Sequence, residues 1–273
     1  MEGVVDPDSA ADRLDTGKPH PARRYDYWLG GKDNFAADRE SADVVAEAFP
    51  TIRFAALENR KFLRRAVAYL AEAGIRQFLD IGTGLPTAGN VHEIAQDVAP
   101  DSRIVYVDND PIVLVHARAL LNSSDEGATA YLEADVRDPE YILGHPDLAR
   151  ILDLTQPVAL ILVAIMHFIT DDQEPYEVVR RLCDALPSGS YLAMTHATSD
   201  YLTAEDLAEN NAAIARSGVP FQLRSTPEFS RFFRGFELVP PGIVSVTAWR
   251  PEEWHAHPRP EAVSMLGAVG RKP

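Results

Sequence analysis

The stretch Phe78-Leu79-Asp80-Ile81-Gly82-Thr83-Gly84-Leu85-Pro86-Thr87 decides how the chain reads. An apolar run of strand length ends at a turn with two glycines, and residues 88–99 then take on helical spacing. Gly82 and Gly84 can adopt backbone angles closed to other residues and place no Cβ between the main chain and a molecule resting on it. Alone, such a turn is a weak motif, since a tight strand-to-helix connection without a ligand satisfies it equally well.

Outward from this segment the pattern repeats. Residues 103–107, 130–134, 158–163 and 191–195 are short apolar runs that, with 77–81, read as strands separated by helical stretches. Asp110 before Pro111 and Thr226 before Pro227 fit a helix cap followed by the first helical residue, and Thr170 with Gln173 has capping-box spacing. Alternating strands and helices predict βαβ crossovers, hence an α/β fold with a mostly parallel sheet and helices on both faces. Residues 236–239 and 243–249, joined through Pro240-Pro241-Gly242, read as an antiparallel hairpin at one sheet edge. Residues 39–73 read as helical, with Phe62, Leu63, Ala66, Val67 and Leu70 on one face and Gly74 as terminator. The expected organisation is a flexible arm over 1–22 and one domain over 23–273, divided into an N-terminal lid and helices over 23–74 and a core over 75–273.

A chain of 273 residues can bury a substantial core unaided, and 46% hydrophobic with 25% charged residues is a globular composition. The net charge of -15, with Lys and Arg scattered, lacks the basic footprint for gripping a phosphate backbone, so nucleic acid is not expected as a partner. Residues 157–169 are too short an apolar run to span a bilayer, no secretory signal is apparent, and the lone Cys183 fits a reducing compartment. A cytoplasmic location and no membrane partner are expected; oligomeric state is left open.

The chemistry lies at the strand ends. Asp108, in Val107-Asp108-Asn109-Asp110, stands at the carboxyl end of the second strand, where it suits the two hydroxyls of an adenosine ribose. Asp110 already serves as the helix cap, which leaves Asp108 free. The third strand ends in Asp135-Val136-Arg137-Asp138, where Asp135 can accept from an adenine amino group and the Val136 main chain can meet the ring; Asp135 or Asp138 can instead cap the loop.

These segments resemble class I S-adenosylmethionine-dependent methyltransferases, and among them the DUF574 type. The likeness extends over Arg23-Arg24-Tyr25-Asp26-Tyr27-Trp28-Leu29-Gly30-Gly31-Lys32-Asp33-Asn34-Phe35, the glycine loop with Pro86-Thr87, Asp108-Asn109-Asp110-Pro111, Gly235-Phe236-Glu237-Leu238-Val239 and Ala248-Trp249-Arg250-Pro251. The resemblance implies a Rossmann-like class I methyltransferase fold with a mostly parallel seven-stranded sheet and S-adenosylmethionine as cofactor, with Asp80, Gly82 and Gly84 at the methionine moiety, Asp108 at the ribose and Asp135 with Val136 at the adenine; Tyr27, Thr83 and Asn109 are further expected cofactor-binding residues. The aromatic N-terminal segment, with its Gly30-Gly31 pair, reads either as a lid over the cofactor or as aromatic packing on the core.

The expected activity is methyl transfer to a small-molecule O or N acceptor. An NAD(P)-dependent oxidoreductase shares the glycine turn and acidic strand end, but the loop lacks the third glycine of the dinucleotide fingerprint. A non-catalytic S-adenosylmethionine-binding protein is the other alternative. His167 and His196 follow the fourth and fifth strands; His167 is the expected general base, against the alternative of hydrogen-bonded histidines packed at the sheet edge. No metal is expected, and His255 with His257 reads as surface.

Overall fold

The computed structural model describes residues 15–120, 123–251 and 258–273; His255 and His257 lie outside them. The N-terminal part contributes α1 (Pro21–Trp28), α2 (Ala36–Ala48) and α3 (Ile52–Glu72). The helical stretch expected over 39–73 is thus two helices, parted at Phe49-Pro50-Thr51. Proline biases the residue before it away from helical angles, and Phe49 is extended with φ -131° and ψ 79°.

The core follows as β1 (Gln77–Ile81), α4 (Val91–Val98), β2 (Arg103–Asp108), α5 (Pro111–Leu120), β3 (Ala128–Glu133), α6 (Pro139–Gly144), α7 (Pro146–Ile151), β4 (Ala159–Leu162), α8 (Pro175–Asp184) and β5 (Tyr191–Ala197). The chain then runs through α9 (Ala204–Ser217), α10 (Thr226–Ser230), β6 (Glu237–Leu238), β7 (Val244–Ser245), α11 (Pro260–Val263) and β8 (Met265–Arg271). The sheet order is β3-β2-β1-β4-β5-β8-β6, with β7 also on β8. Strands β1 to β5 pair in parallel, and β8 runs antiparallel to β5.

The antiparallel edge is present, but the expected hairpin is not. β6 and β7 each pair with β8, through Leu238↔Gly270 and Val244↔Gly267, so both lie along the same rank of the sheet. The cap expected at Thr226 belongs to Ser225, whose hydroxyl and N–H engage Glu228, while the Thr226 hydroxyl donates to Asp200.

The strand period of two sorts side chains onto opposite faces. Leu79, Ile81, Val105, Val107, Leu160 and Leu162 enter one core cluster, and Phe78, Ile104, Tyr106 and Ile161 enter the other. The second cluster is covered by α3 through Phe62, Leu63, Ala66, Val67 and Leu70. Asp80 shares the parity of Phe78, so its side chain emerges on the α3 side at the carboxyl end of β1. No helix among the described residues is long and apolar enough to cross a membrane.

Candidate functional site

Where β1 hands over from β2 to β4 the strand order reverses, and in open α/β sheets that crevice is where ligands bind. A cavity of about 300 Å³ opens there, lined by the carboxyl ends of the strands and by residues of the N-terminal helices. Asp80, Gly82, Thr83, Gly84, Asp108, Asn109, Asp135 and Val136 all line it. So do Pro19, His20, Tyr25, Asn59 and Arg60, none of which the sequence alone marks as a site residue.

The glycine bend and the Asp108 carboxylate are directly joined. The Gly84 N–H donates to Asp108 Oδ2 at 2.8 Å, and the Asp110 N–H donates to Asp108 Oδ1 at 3.0 Å. Each carboxylate oxygen keeps a further lone pair, enough for two hydroxyls. Burial pushes the Asp108 carboxyl above its usual range, opposed by nearby His20.

The two glycines serve different ends. A Cβ on Gly82 would stand 2.3 Å from Ile165 Cδ1, so Gly82 is bare to admit that side chain; Gly84, at φ +69°, has open space where its Cβ would be. The N–H groups of Gly82 and Thr83 donate to the Val107 carbonyl at 2.7 and 3.3 Å. With Gly84 bonded to Asp108, these three amides are engaged, so they offer no free donors to a pyrophosphate. That fits a ligand without a pyrophosphate, such as the S-adenosylmethionine expected from the sequence.

Past the end of β3, Asp135 is heavily engaged. Its Oδ1 accepts from the Arg137 N–H and Nε at 2.9 and 2.8 Å, and Oδ2 accepts from Arg137 Nη2 and Asn109 Nδ2 at 2.6 and 3.0 Å. Burial pushes the carboxyl up, and these hydrogen bonds together outweigh it, leaving it below its ordinary value. All four ordinary acceptor positions are filled, so Asp135 takes an adenine amino group only by releasing Arg137 or Asn109.

The wall beside the end of β1 is built by α3. Asn59 and Arg60 stand one turn before Phe62 and Leu63, at the point where the helix passes the end of β1. Asp80 is 6% exposed, and burial raises its carboxyl to about 7, with Arg60 pulling it down and Asp108 pushing it further up.

A family model for S-adenosyl methyltransferases matches residues 7–273. The chain belongs to that family. The methyltransferase is similar over nearly its whole length to two solved structures. A DUF574 family protein from Streptomyces avermitilis is 50% identical, with 96% of this chain and 100% of that one covered and a TM-score of 0.90. A candidate methyltransferase of Thermobifida fusca is 44% identical, with 98% and 99% covered and a TM-score of 0.86. No curated protein matches the chain. The cofactor of the methyltransferase is S-adenosylmethionine.

Two expected site residues of the methyltransferase are placed elsewhere. Tyr27 faces away from the cavity: its hydroxyl donates to Asp43 at 3.1 Å and Arg53 lies over its ring at 5.0 Å. Tyr25, two residues earlier on α1, lines the cavity instead, its hydroxyl donating to the Ala56 carbonyl at 2.9 Å. His167 is buried behind the wall, its ring 4.4 Å from Phe168, 4.5 Å from Phe221 and 5.6 Å from His196, and it does not line the cavity. Burial, with His196 and Arg224 nearby, holds its imidazole well below the usual range, so it is neutral. His196 is structural: its Nε2 accepts from Arg224 at 2.8 Å, which makes Nδ1 the donor to the Ala197 carbonyl.

The arm boundary also moves. His20 caps α1, its N–H donates to Asp38 at 2.8 Å, and its ring meets Asn109 Oδ1 at 3.1 Å and Asp110 Oδ2 at 3.1 Å. Residues 19–22 therefore belong to the site, not to a loose arm. The Gly30-Gly31 pair is not a free hinge: a Cβ on Gly31 would meet Asp26 Oδ1 at 1.9 Å, and Asp26 ties down the Asp33 N–H and Asn34 Nδ2 at 3.0 and 2.8 Å.

Proposed function

We propose that the methyltransferase transfers the methyl group to an oxygen or nitrogen of a small molecule, with the cofactor held by Asp80, Gly84, Asp108 and the Val136 segment. The observation that carries this is the Gly84 to Asp108 hydrogen bond, which joins the amino-acid and ribose ends of one cavity. When bound, S-adenosylmethionine supplies a methyl carbon already activated by a sulfonium, so the protein's task is alignment and exclusion of water.

The rest of the wall suits that task. Ile165, Phe168, Ile169, Val219 and Pro220 present apolar surface to the acceptor side. The Ser41 hydroxyl donates to the Ser217 carbonyl, so α9 is fastened to α2 beside the cavity. A concave cavity of this size suits a small acceptor better than a macromolecular one. Proton removal from the acceptor is not assigned to His167, whose ring lies outside the lining.

Calorimetric titration with S-adenosylmethionine, S-adenosylhomocysteine and NAD tests the cofactor assignment; tight NAD binding without either sulfur ligand would overturn it. Asp108→Ala is expected to weaken S-adenosylmethionine binding by roughly 1.5 to 3 kcal/mol, the worth of hydrogen bonds to a charged acceptor. An unchanged dissociation constant in a folded Asp108→Ala protein rejects the ribose role. The acceptor class is tested by a screen of small-molecule alcohols, phenols and amines with S-adenosylhomocysteine release as the signal; turnover on a protein or nucleic acid alone rejects it.

A further inference from the structure

Asn59 is a polar residue in the middle of the apolar stripe of α3, 1% exposed, and its Oδ1 has no hydrogen-bond partner. A buried amide oxygen left unpaired is destabilising, so the site calls for a donor. The orientation of the amide is fixed by its neighbours. The single proton of the Tyr25 hydroxyl goes to the Ala56 carbonyl at 2.9 Å, so that hydroxyl can only accept from Asn59 Nδ2, also at 2.9 Å. Oδ1 is therefore the free atom, and only an N–H or O–H group can satisfy it.

The neighbours narrow the choice of donor. Asn59 lines the cavity beside Asp80, a second acceptor, and Arg60, a cation whose Nη2 donates to the Gly89 carbonyl at 2.9 Å. Arg60 is donor-only, and it meets the carbonyls of Ala88 and Gly89, not Asn59. Two acceptors and one cation together complement a group that is both ammonium and carboxylate, that is, an α-amino acid. We infer that Asn59 Oδ1 and the Asp80 carboxylate receive the α-ammonium of the cofactor's methionine moiety, with Arg60 facing its carboxylate. This rests on the cofactor reading above and adds to it two residues from a helix outside the sheet. Asn59 selects for the amino group, and Tyr25 is the positioning residue that fixes which end of the amide is left free.

The experiment compares ligands with and without that group. Asn59→Ala should weaken S-adenosylhomocysteine binding about tenfold to a hundredfold, the range for hydrogen bonds to a charged partner. Binding of 5′-methylthioadenosine, which keeps the nucleoside and lacks the amino acid, should stay within about twofold of the unsubstituted protein, since the lost bond is absent from that ligand. Equal weakening of both ligands would mean that Asn59 only shapes the cavity, and an unchanged S-adenosylhomocysteine affinity would mean that Oδ1 meets only water. Either result overturns the inference while leaving the cofactor reading intact. Failure of the unsubstituted protein to bind either ligand overturns both. If Asn59→Ala does not fold, the unsubstituted protein is titrated with S-adenosylhomocysteine and with its analogue bearing hydrogen in place of the amino group. The analogue should bind at least about tenfold more weakly, and equal affinity refutes the ammonium site.

Discussion

Asp80→Asn is expected to make the protein more stable and to cripple its binding of S-adenosylmethionine at the same time. The two effects share one cause. Asp80 is buried at the end of β1, where desolvation raises its carboxyl to about 7 against an ordinary value of 3.8. The folded state therefore holds a proton that the unfolded chain releases as pH rises above about 4, and the penalty for ionising Asp80 grows through that window until it saturates above about 7. At neutral pH it amounts to about 2 to 4 kcal/mol, at 1.36 kcal/mol per tenfold change in proton affinity. The amide of the Asp80→Asn variant has nothing to ionise. The melting temperature at pH 7.5 should rise by roughly 3 to 7 °C in the absence of ligand, and the gain should vanish near pH 4.

The buried imidazoles act in the opposite sense. Burial pushes His196 down to about 3, so the stability it leaves intact above about 6.5 is lost progressively as pH falls from there towards about 3. The Asp80 effect must therefore be read as the difference between variant and unsubstituted protein across pH. S-adenosylmethionine affinity, by contrast, should fall at least about tenfold in Asp80→Asn, because a neutral amide replaces the carboxylate that meets the ammonium. A variant that binds normally, or one that is no more stable at pH 7.5, would show that Asp80 does not carry a ligand-directed strain.

Much of this site is legible in sequence because strands buried on both faces appear as unbroken apolar runs, and Leu79-Asp80, Val107-Asp108 and Ala134-Asp135 each break such a run with a carboxylate at its end. The parts that are not legible have physical reasons. β8 carries Gly267 and Gly270, which dilute the strand signal; both are bare because Phe62 and Phe233 occupy the space their Cβ atoms would need. Without β8 in view, β6 and β7 have no partner except each other. Tyr25 and Tyr27 are alike in composition, and only the rotational phase of α1 puts one at the cavity and the other against Asp43. Asn59 leaves a usable trace: in the series 59, 62, 63, 66, 67, 70 it is the one polar member of the stripe, and a polar residue on a buried face asks for a partner. His167 shows the converse, since residue type and strand-end position are right and the packing of its ring behind the wall decides otherwise.

Arg224→Leu should produce the largest loss of stability of any single change considered. The guanidinium is fully buried and holds together the chain that leaves β4: it donates to the Met166 carbonyl at 3.1 Å, the Ile169 carbonyl at 2.9 Å, His196 Nε2 at 2.8 Å and Asp171 Oδ1 at 2.7 Å. Asp171 is largely exposed and can be rehydrated when its partner is removed, so little of the loss comes from that ion pair. The two carbonyls and the imidazole nitrogen cannot, and stranding them in the core sets a cost of about 3 to 5 kcal/mol, or roughly 5 to 9 °C in melting temperature. Lysine in the same place has one compact charge and no planar fork, so Arg224→Lys should recover only part of the loss. Arg231→Leu is the control: its guanidinium stacks on Tyr176 at 3.8 Å but is exposed, and its removal should cost less than about 1 kcal/mol. Because Ile165, Phe168 and Ile169 are carried on the segment that Arg224 fastens, any folded Arg224→Leu protein should also show a KM raised more for its acceptor than for S-adenosylmethionine, relative to the unsubstituted enzyme. Equal melting temperatures for Arg224→Leu and Arg231→Leu would mean that the segment after β4 is held by its apolar packing alone.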